Sequence, residues 1–318
     1  MDELKQLNID KRIKSKTVQD KTVKYSFLCI TVFCSLIIVF IALFLLIKGL
    51  TPFFSTYEIN GESYKINFFS FIFGGTWFQS PNIYGAGYII VNTIYITLIA
   101  LLIAVPVSVL TALFISRIAP KIIAKTFNSV VELLASIPSV IYGLFGMYII
   151  TSMVKGMTGI FNYQTAGGLS GLSAAIVLAM MIIPTITMIS VTAIDAVKKD
   201  QILGSVALGA SITQTNFKVV LTSAKSGIFS GIILGVGRAL GEATAVSMVI
   251  GNSGSGPNFN IFDISRTLTS TMLLGIHETS GMDYDIRFSV GVVLIVIILV
   301  TNISLNLLKK KIGSKHEK

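Results

Sequence analysis

The stretch GVGRALGEATAVSMVIGN, Gly235 to Asn252, sets an arginine and a glutamate four residues apart among glycine, alanine and aliphatic residues. Read as a glycine-rich phosphate loop, it makes the protein a soluble nucleotide binder. Read as helix, it puts Arg238 and Glu242 inside a bilayer. Spacing decides against the loop: Gly235 to Gly241 has one residue too many for G-x-G-x-x-G, and no βαβ pattern surrounds it. The glycines follow a helical interval instead. Gly227, Gly231 and Gly235 recur every fourth residue, and Gly237 and Gly241 repeat that interval on another face. Such ridges let helix backbones approach closely in a membrane.

The rest of the chain supports the helical reading. Of its 318 residues 53% are hydrophobic and 13% charged, and the mean hydropathy is +0.80, far from the balance of a soluble domain. Runs of about 20 apolar residues span a hydrocarbon core of about 30 Å. Six are expected: 25–49, 88–114, 128–153, 171–193, 227–250 and 287–308. The fold class is an all-α polytopic membrane protein.

The net charge of +10 follows the membrane rather than a nucleic acid. With both termini inside, 19 of the 25 Lys and Arg fall on the inner side, in the tail 1–24, the 117–126 and 194–226 loops and the basic tail 309–318. Lys48, Lys65, Lys155, Arg266 and Arg287 fall at or near the outer side, and Arg238 lies within a span. No nucleic-acid reading element accompanies this charge. The first apolar run is too long for a signal-peptide core and reads as an uncleaved anchor. Cys29 and Cys34 lie within it as apolar filler, and neither His277 nor His316 has metal-ligand spacing.

Between the first span and the core, the outer segment 50–87 is aromatic, with a short helix expected at 67–73 and Trp77 at headgroup level or packed on neighbouring helices. The core, 88–308, carries Pro106, Pro138 and Pro184 inside its spans, which kink helices. The outer loop GNSGSGPNFN, Gly251 to Asn260, is flexible by composition. Glu132 reads as snorkelling, Thr244 and Ser247 as bonding their own helix, and Asn92 and Thr93 as hydrated at the outer end of a span.

The coupling loop 194–226 is the informative hydrophilic piece. Val197, Ile202, Val206 and Leu208 alternate with charged residues as in a short amphipathic helix, and Gly209 breaks it. Ser211 and Gln214 have capping-box spacing for a second helix. An exposed apolar face on such a helix–turn–helix fits a partner.

This loop resembles the coupling loop of importer-type ABC permeases, of the form EAA, three residues, Gly, nine residues, an aliphatic, one residue, Leu-Pro. Here Leu203-Gly204-Ser205 stands for EAA, followed by Val206, Ala207, Leu208, then Gly209 at the glycine and Ala210 after it. Val219 takes the aliphatic place, and Leu221-Thr222 that of Leu-Pro, so the acidic residue and the proline are missing while the spacing is kept. ELLASIPSVIYGLFG (132–146), AVPVSVLTALFISRIAP (104–120) and GRALGEATAVSMVIGN (237–252) are similar to segments of phosphate importer permeases of the PstC type. The resemblance covers roughly 68–308. It implies the type I ABC importer permease fold in a bacterial or archaeal cell membrane. It further implies a second permease subunit (PstA-like, or a second copy), PstB-like ATPase subunits on the loop and a PstS-like extracytoplasmic phosphate-binding protein. It also implies that ATP and Mg are used by the ATPase, with no cofactor, metal or catalytic residue in this chain. A G-x-x-x-x-G-K-[ST] loop is absent from the sequence.

Two roles stand open for Arg238 and Glu242, expected on one helix face. They neutralise each other as a structural pair, or they line the substrate pathway, with the guanidinium fork on phosphate and Glu242 keeping the grip weak. The glycine-rich fifth span is expected at the contact with the second permease. A permease for sulfate, molybdate or phosphonate is the nearest rival; an ion channel would be expected to show a filter loop or rings of charge, which this sequence does not present.

Overall fold

The computed structural model describes residues 2–59, 61–79 and 82–313, with side chains described between 20 and 311. Pro81 and the end of the basic tail beyond residue 313, with His316, lie outside the described residues. Among the described residues, six helices are long and apolar enough to cross a membrane: Asp20–Phe54, Gly87–Ile118, Ser139–Ile160, Gly171–Asp195, Ile212–Gly241 and Met282–Lys311. They are called spans one to six in that order.

Span four is the centre of the bundle. It is apolar on nearly every side, as a helix enclosed by others must be, and Ala174, Ala175, Val177, Leu178, Ile182 and Ile186 are all buried. Ser170 opens it by accepting from Ser173 N–H at 3.1 Å. Ala100 and Ala104 of span two are fully buried in the same core, which lets the two backbones lie close. Both helices continue through their prolines, Pro106 and Pro184. Beside those prolines, Ser108 Oγ donates to the Ile183 carbonyl at 3.2 Å and Thr187 Oγ1 to the Ser108 carbonyl at 3.5 Å.

Span five packs on span four through its first glycine ridge. A Cβ on Gly227 would stand 2.5 Å from Ala193 Cβ, one on Gly231 3.2 Å from Ile189 Cβ, and one on Gly235 2.8 Å from Ile186 Cδ1. This glycine ridge is therefore filled by span four of the same chain. Gly237 and Gly241 have open space where a Cβ would be. Gly227→Leu is thus expected to overpack the bundle by about 1–3 kcal/mol and lower the unfolding temperature of the detergent-solubilised chain, while Gly237→Ala leaves packing unchanged. A Gly227→Leu protein as heat-stable as the parent would contradict the close approach.

Two expected spans have different ends. The run 128–153 is interrupted because the residue before a proline avoids helical geometry: Ile137 is extended, ending the helix Lys121–Ser136, and span three starts only at Ser139. The preceding amphipathic helix leaves Glu132 exposed, accepting from Asn128 Nδ2 at 3.0 Å. The run 227–250 stops at Gly241, where Glu242 is extended, and a separate short helix, Thr244–Val249, follows.

Span one stands at the edge, with Cys29 and Cys34 exposed on it. Its helix begins at Asp2, so the charged lead is continuous with the span. It leans on span six at Gly49, whose carbonyl accepts from Ser289 Oγ at 2.6 Å, and at Lys48, which pairs with Asp285 at 3.4 Å. The outer segment holds the helix Phe68–Phe73, capped by Asn67 Oδ1 on Phe69 N–H, and two antiparallel hairpins, Tyr57–Ile59 with Glu62–Tyr64 and Trp77–Phe78 with Ile83–Tyr84. Trp77 is buried and packs edge-on against Tyr84, as the packing reading expects. The glycine-rich loop is likewise pinned: Trp77 N–H donates to the Gly254 carbonyl at 2.7 Å, Gly256 N–H to Gly75 at 3.0 Å and Ser253 N–H to Ser265 at 3.0 Å. Composition alone cannot see such pairing, because the acceptors come from distant segments.

Candidate functional site

Arg238 lies 13 residues beyond Lys225, the last basic residue of the 194–226 loop, and so about 20 Å along the helix. It is half-buried on span five, and its Nη1 donates to Thr185 Oγ1 of span four at 2.9 Å. The buried Tyr142 of span three lies within electrostatic reach of the guanidinium. Tyr142 Oη donates to the Leu134 carbonyl at 2.8 Å, bridging the break that Pro138 makes. Arg238 is flanked by Gly237 and followed by Gly241, the two glycines with open space beside them. One hydrogen bond leaves other N–H groups of the guanidinium, which carries five donors.

Glu242 does not share a helical face with Arg238. With the helix ended at Gly241, its carboxylate turns forward, and Oε1 accepts from Ala245 N–H at 3.0 Å. Its own carbonyl accepts from Thr269 Oγ1 at 2.8 Å, which ties the break to the short helix Leu268–Leu273. No ion pair joins Arg238 and Glu242 among the described residues, so the mutual-neutralisation role has no geometric basis. The glycines explain the break: each lowers helix stability by about 1 kcal/mol relative to alanine, and the carboxylate then holds the next turn. Glu242→Ala is expected to lower stability by roughly 1 kcal/mol through the lost cap. Glu242→Gln keeps an acceptor for Ala245 N–H and should melt with the parent. Equal melting of all three proteins would exclude the capping role.

Elsewhere in this region Ser247 Oγ bonds its own helix at Thr244 O, 2.9 Å. Asn92 and Thr93, expected to be hydrated, are enclosed. Thr93 Oγ1 accepts from Leu268 N–H at 3.0 Å, while Asn92 is 1% exposed and its amide atoms have no partner among the described residues. Arg266 and Arg287, which sequence order places at the outer side, are enclosed too, at 8% and 4% exposure. A charged residue beside an outer loop reads as solvated; its burial is created by segments remote in sequence, so no local signal could reveal it.

The segment after span four forms one short helix, and the second expected helix is the start of span five. Lys199–Ala207 ends where Gly209 takes a φ of +84°, a left-handed turn that glycine adopts without strain. Ser211 and Gln214 then form a reciprocal capping box, and the helix runs on through Thr222. Ser205 Oγ and Thr215 Oγ1, 3.0 Å apart, brace the turn. Leu203, Val206, Leu208 and Ile212 are exposed around it, Leu208 at 91%. Gly204 and Gly209 have nothing within 4 Å of a Cβ position. The turn is a rigid apolar protrusion at the end of the bundle that the basic residues assign to the inner side.

Residues 104–315 match the family model described as "Binding-protein-dependent transport system inner membrane component". The chain is similar to the phosphate transport system permease protein PstC of Pasteurella multocida (strain Pm70), at 32% identity over 80% of this chain and 85% of that one. It is similar to a probable ABC transporter permease protein, YqgH, of Bacillus subtilis (strain 168), at 37% identity over 83% of each. Among solved structures, it resembles a chain of a bacterial ABC transporter involved in the import of the acidic polysaccharide alginate. The TM-score there is 0.62 at 15% identity, covering 93% of this chain and 98% of that chain, a likeness of fold.

Proposed function

The chain belongs to the binding-protein-dependent transport system inner membrane component family, and from that premise we propose that it is one permease subunit of an ATP-driven inorganic phosphate importer. The observation that carries the phosphate reading is its identity, over most of its length, with permeases named for phosphate transport. The site supports it physically. Arg238 presents a planar donor fork beside the open face of span five, and Thr185 fixes one nitrogen. Guanidinium geometry suits two oxygens of a phosphate. Phosphate is delivered by an extracytoplasmic binding protein, meets Arg238 within the bundle, and is released inward. A second permease, PstA-like or a second copy, completes the pathway on the face that Gly237 and Gly241 leave open. PstB-like ATPase subunits dock on the 203–210 turn and use ATP and Mg, so this chain carries out no catalysis and holds no cofactor of its own.

Labelled phosphate uptake into proteoliposomes holding the assembled complex tests the proposal. Uptake should require internal ATP and the binding protein, and unlabelled phosphate should compete more strongly than sulfate, molybdate or a phosphonate. Preferential competition by one of those oxyanions would overturn the phosphate assignment, and uptake independent of ATP would overturn the importer assignment.

A further inference from the structure

A second cationic site lies at the outer end of the bundle. A cavity of about 590 Å³ is lined by Trp77, Gln79, Asn252, Arg266, Glu278 and Arg287, among others, within the size range of small-ligand sites, about 300–1,000 Å³. Both arginines are more than nine-tenths buried. Arg266 extends over the Trp77 ring at 6.0 Å, yet among the described residues its Nε and Nη1 have no hydrogen-bond acceptor. Arg287 gives Nη1 to the Thr271 carbonyl at 2.6 Å, and its Nε has none. The two guanidiniums act on each other as like charges. Asp283 attracts Arg287 electrostatically but stays unbonded at Oδ1. Glu278 Oε2 and Arg287 Nη2 both approach Gly275, at 4.0 and 3.5 Å from a Cβ position. No carboxylate oxygen lies within 4.0 Å of either guanidinium among the described residues.

Buried guanidinium nitrogens without acceptors are costly, and proteins pair such charges. A static scaffold would satisfy them with a carboxylate on a neighbouring helix, as Asp285 serves Lys48 at 3.4 Å nearby. Here both arginines instead line a cavity. Asn252 lines the same cavity, and its Nδ2 donates to the Ser247 carbonyl of the short helix after Glu242. Arg266 lies three residues before Thr269, whose hydroxyl holds the Glu242 carbonyl. The cavity is thus joined to the broken end of span five, next to Arg238, through the two short helices.

We propose that Arg266 and Arg287 form an outer oxyanion-binding site in which inorganic phosphate stops before it reaches Arg238. This rests on the reading of the chain as a phosphate permease. Two sites in series fit conduction, because an ion held at several weak sites leaves more readily than one held at a single strong one. Guanidinium N–H groups at the cavity wall supply charge-assisted donors to the phosphate oxygens. Glu278 at the margin limits the depth of the well by repulsion.

The test uses the whole complex in proteoliposomes, with ATP inside and phosphate-loaded binding protein titrated outside. Labelled phosphate uptake is read as maximal turnover and as half-saturating binding-protein concentration. Arg266→Gln and Arg287→Gln should each lower maximal turnover about tenfold, the effect expected for losing a hydrogen bond to a charged group, with the half-saturating concentration unchanged. Gln79→Glu adds a carboxylate to the cavity from an exposed position. It should lower turnover severalfold in a complex that assembles normally, and it decides the matter if the arginine variants fail to assemble. Unchanged turnover in Gln79→Glu, or in an assembled Arg266→Gln complex, would overturn the site. A raised half-saturating concentration with turnover intact would also overturn it, because the arginines would then receive a carboxylate of the docking protein. If the parent complex moves a different oxyanion and not phosphate, the functional reading fails by itself, and the same variants measured with that oxyanion decide the outer site.

Discussion

Replacing Arg238 by glutamine is expected to lower phosphate uptake at least about tenfold, while the complex still assembles and reaches the membrane. The side chain is half-buried on span five, and its one hydrogen bond to a side chain is to Thr185 Oγ1. Glutamine is shorter but still polar, so the bundle loses a charge rather than packed volume. A phosphate passing through loses a charge-assisted fork. Arg238→Lys keeps the charge as a point and should retain part of the activity, because an ammonium does not reproduce planar two-oxygen recognition. Assembly is read by co-purification and uptake by labelled phosphate. An assembled Arg238→Gln complex with parental uptake would remove this residue from the pathway. A charge-swapped pair with Glu242 is not informative, since that carboxylate is committed to Ala245 N–H at 3.0 Å.

The spans were legible because hydropathy is additive along the chain; the breaks within them were not. Apolar runs located all six helices, and the Ser211 and Gln214 spacing located a capping box that forms in both directions. At Ile137, the proline that follows announces the break, yet a hydropathy run passes straight through it. At Glu242 two glycines and a carboxylate compete with helix continuation, and the outcome depends on Thr269, brought there by a later segment. The assumption that Arg238 and Glu242 share a face failed for that reason. Glycine spacing announced a close approach but not its partner, which is span four of the same chain. Counting charges assigns Arg266 and Arg287 to the outer side but says nothing of their burial, since their cover, Trp77 and the pinned loop, is nonlocal.

The broken helices share a physical theme. In a bilayer, irregular backbone is tolerated only where protein or a water-filled cavity surrounds it. The Pro138 break is spanned by Tyr142 Oη on Leu134 O, and the Glu242 break by Thr269. The Glu242 break follows Arg238 by four residues, and Tyr142, which spans the Pro138 break, lies within electrostatic reach of the same guanidinium, so polar groups of spans three, four and five are gathered around one cation. Polar satisfaction by neighbouring side chains is what makes room for a polar route through an otherwise apolar bundle.

Leu208→Asp is expected to release the ATPase subunits from the purified complex and to abolish ATP-dependent uptake, with the chain itself still folded. Leu208 is 91% exposed at the tip of the inner turn, beside Leu203 and Ile212, which are also exposed. No burial within this chain is lost by the substitution. In a docked interface the same leucine would bury its side chain, worth about 1.5–3 kcal/mol, and a carboxylate enclosed there without a partner costs more than the lost contact. The turn is suited to this role because it is braced: Gly209 supplies the left-handed corner, Ser211 and Gln214 close the capping box, and Ser205 meets Thr215 at 3.0 Å. Rigidity before binding leaves less ordering entropy to oppose docking. Leu208→Met, which preserves apolar volume, should keep both the ATPase and uptake. Retention of the ATPase at parental stoichiometry by Leu208→Asp would mean that the protrusion is not the docking contact, whatever substrate the permease carries.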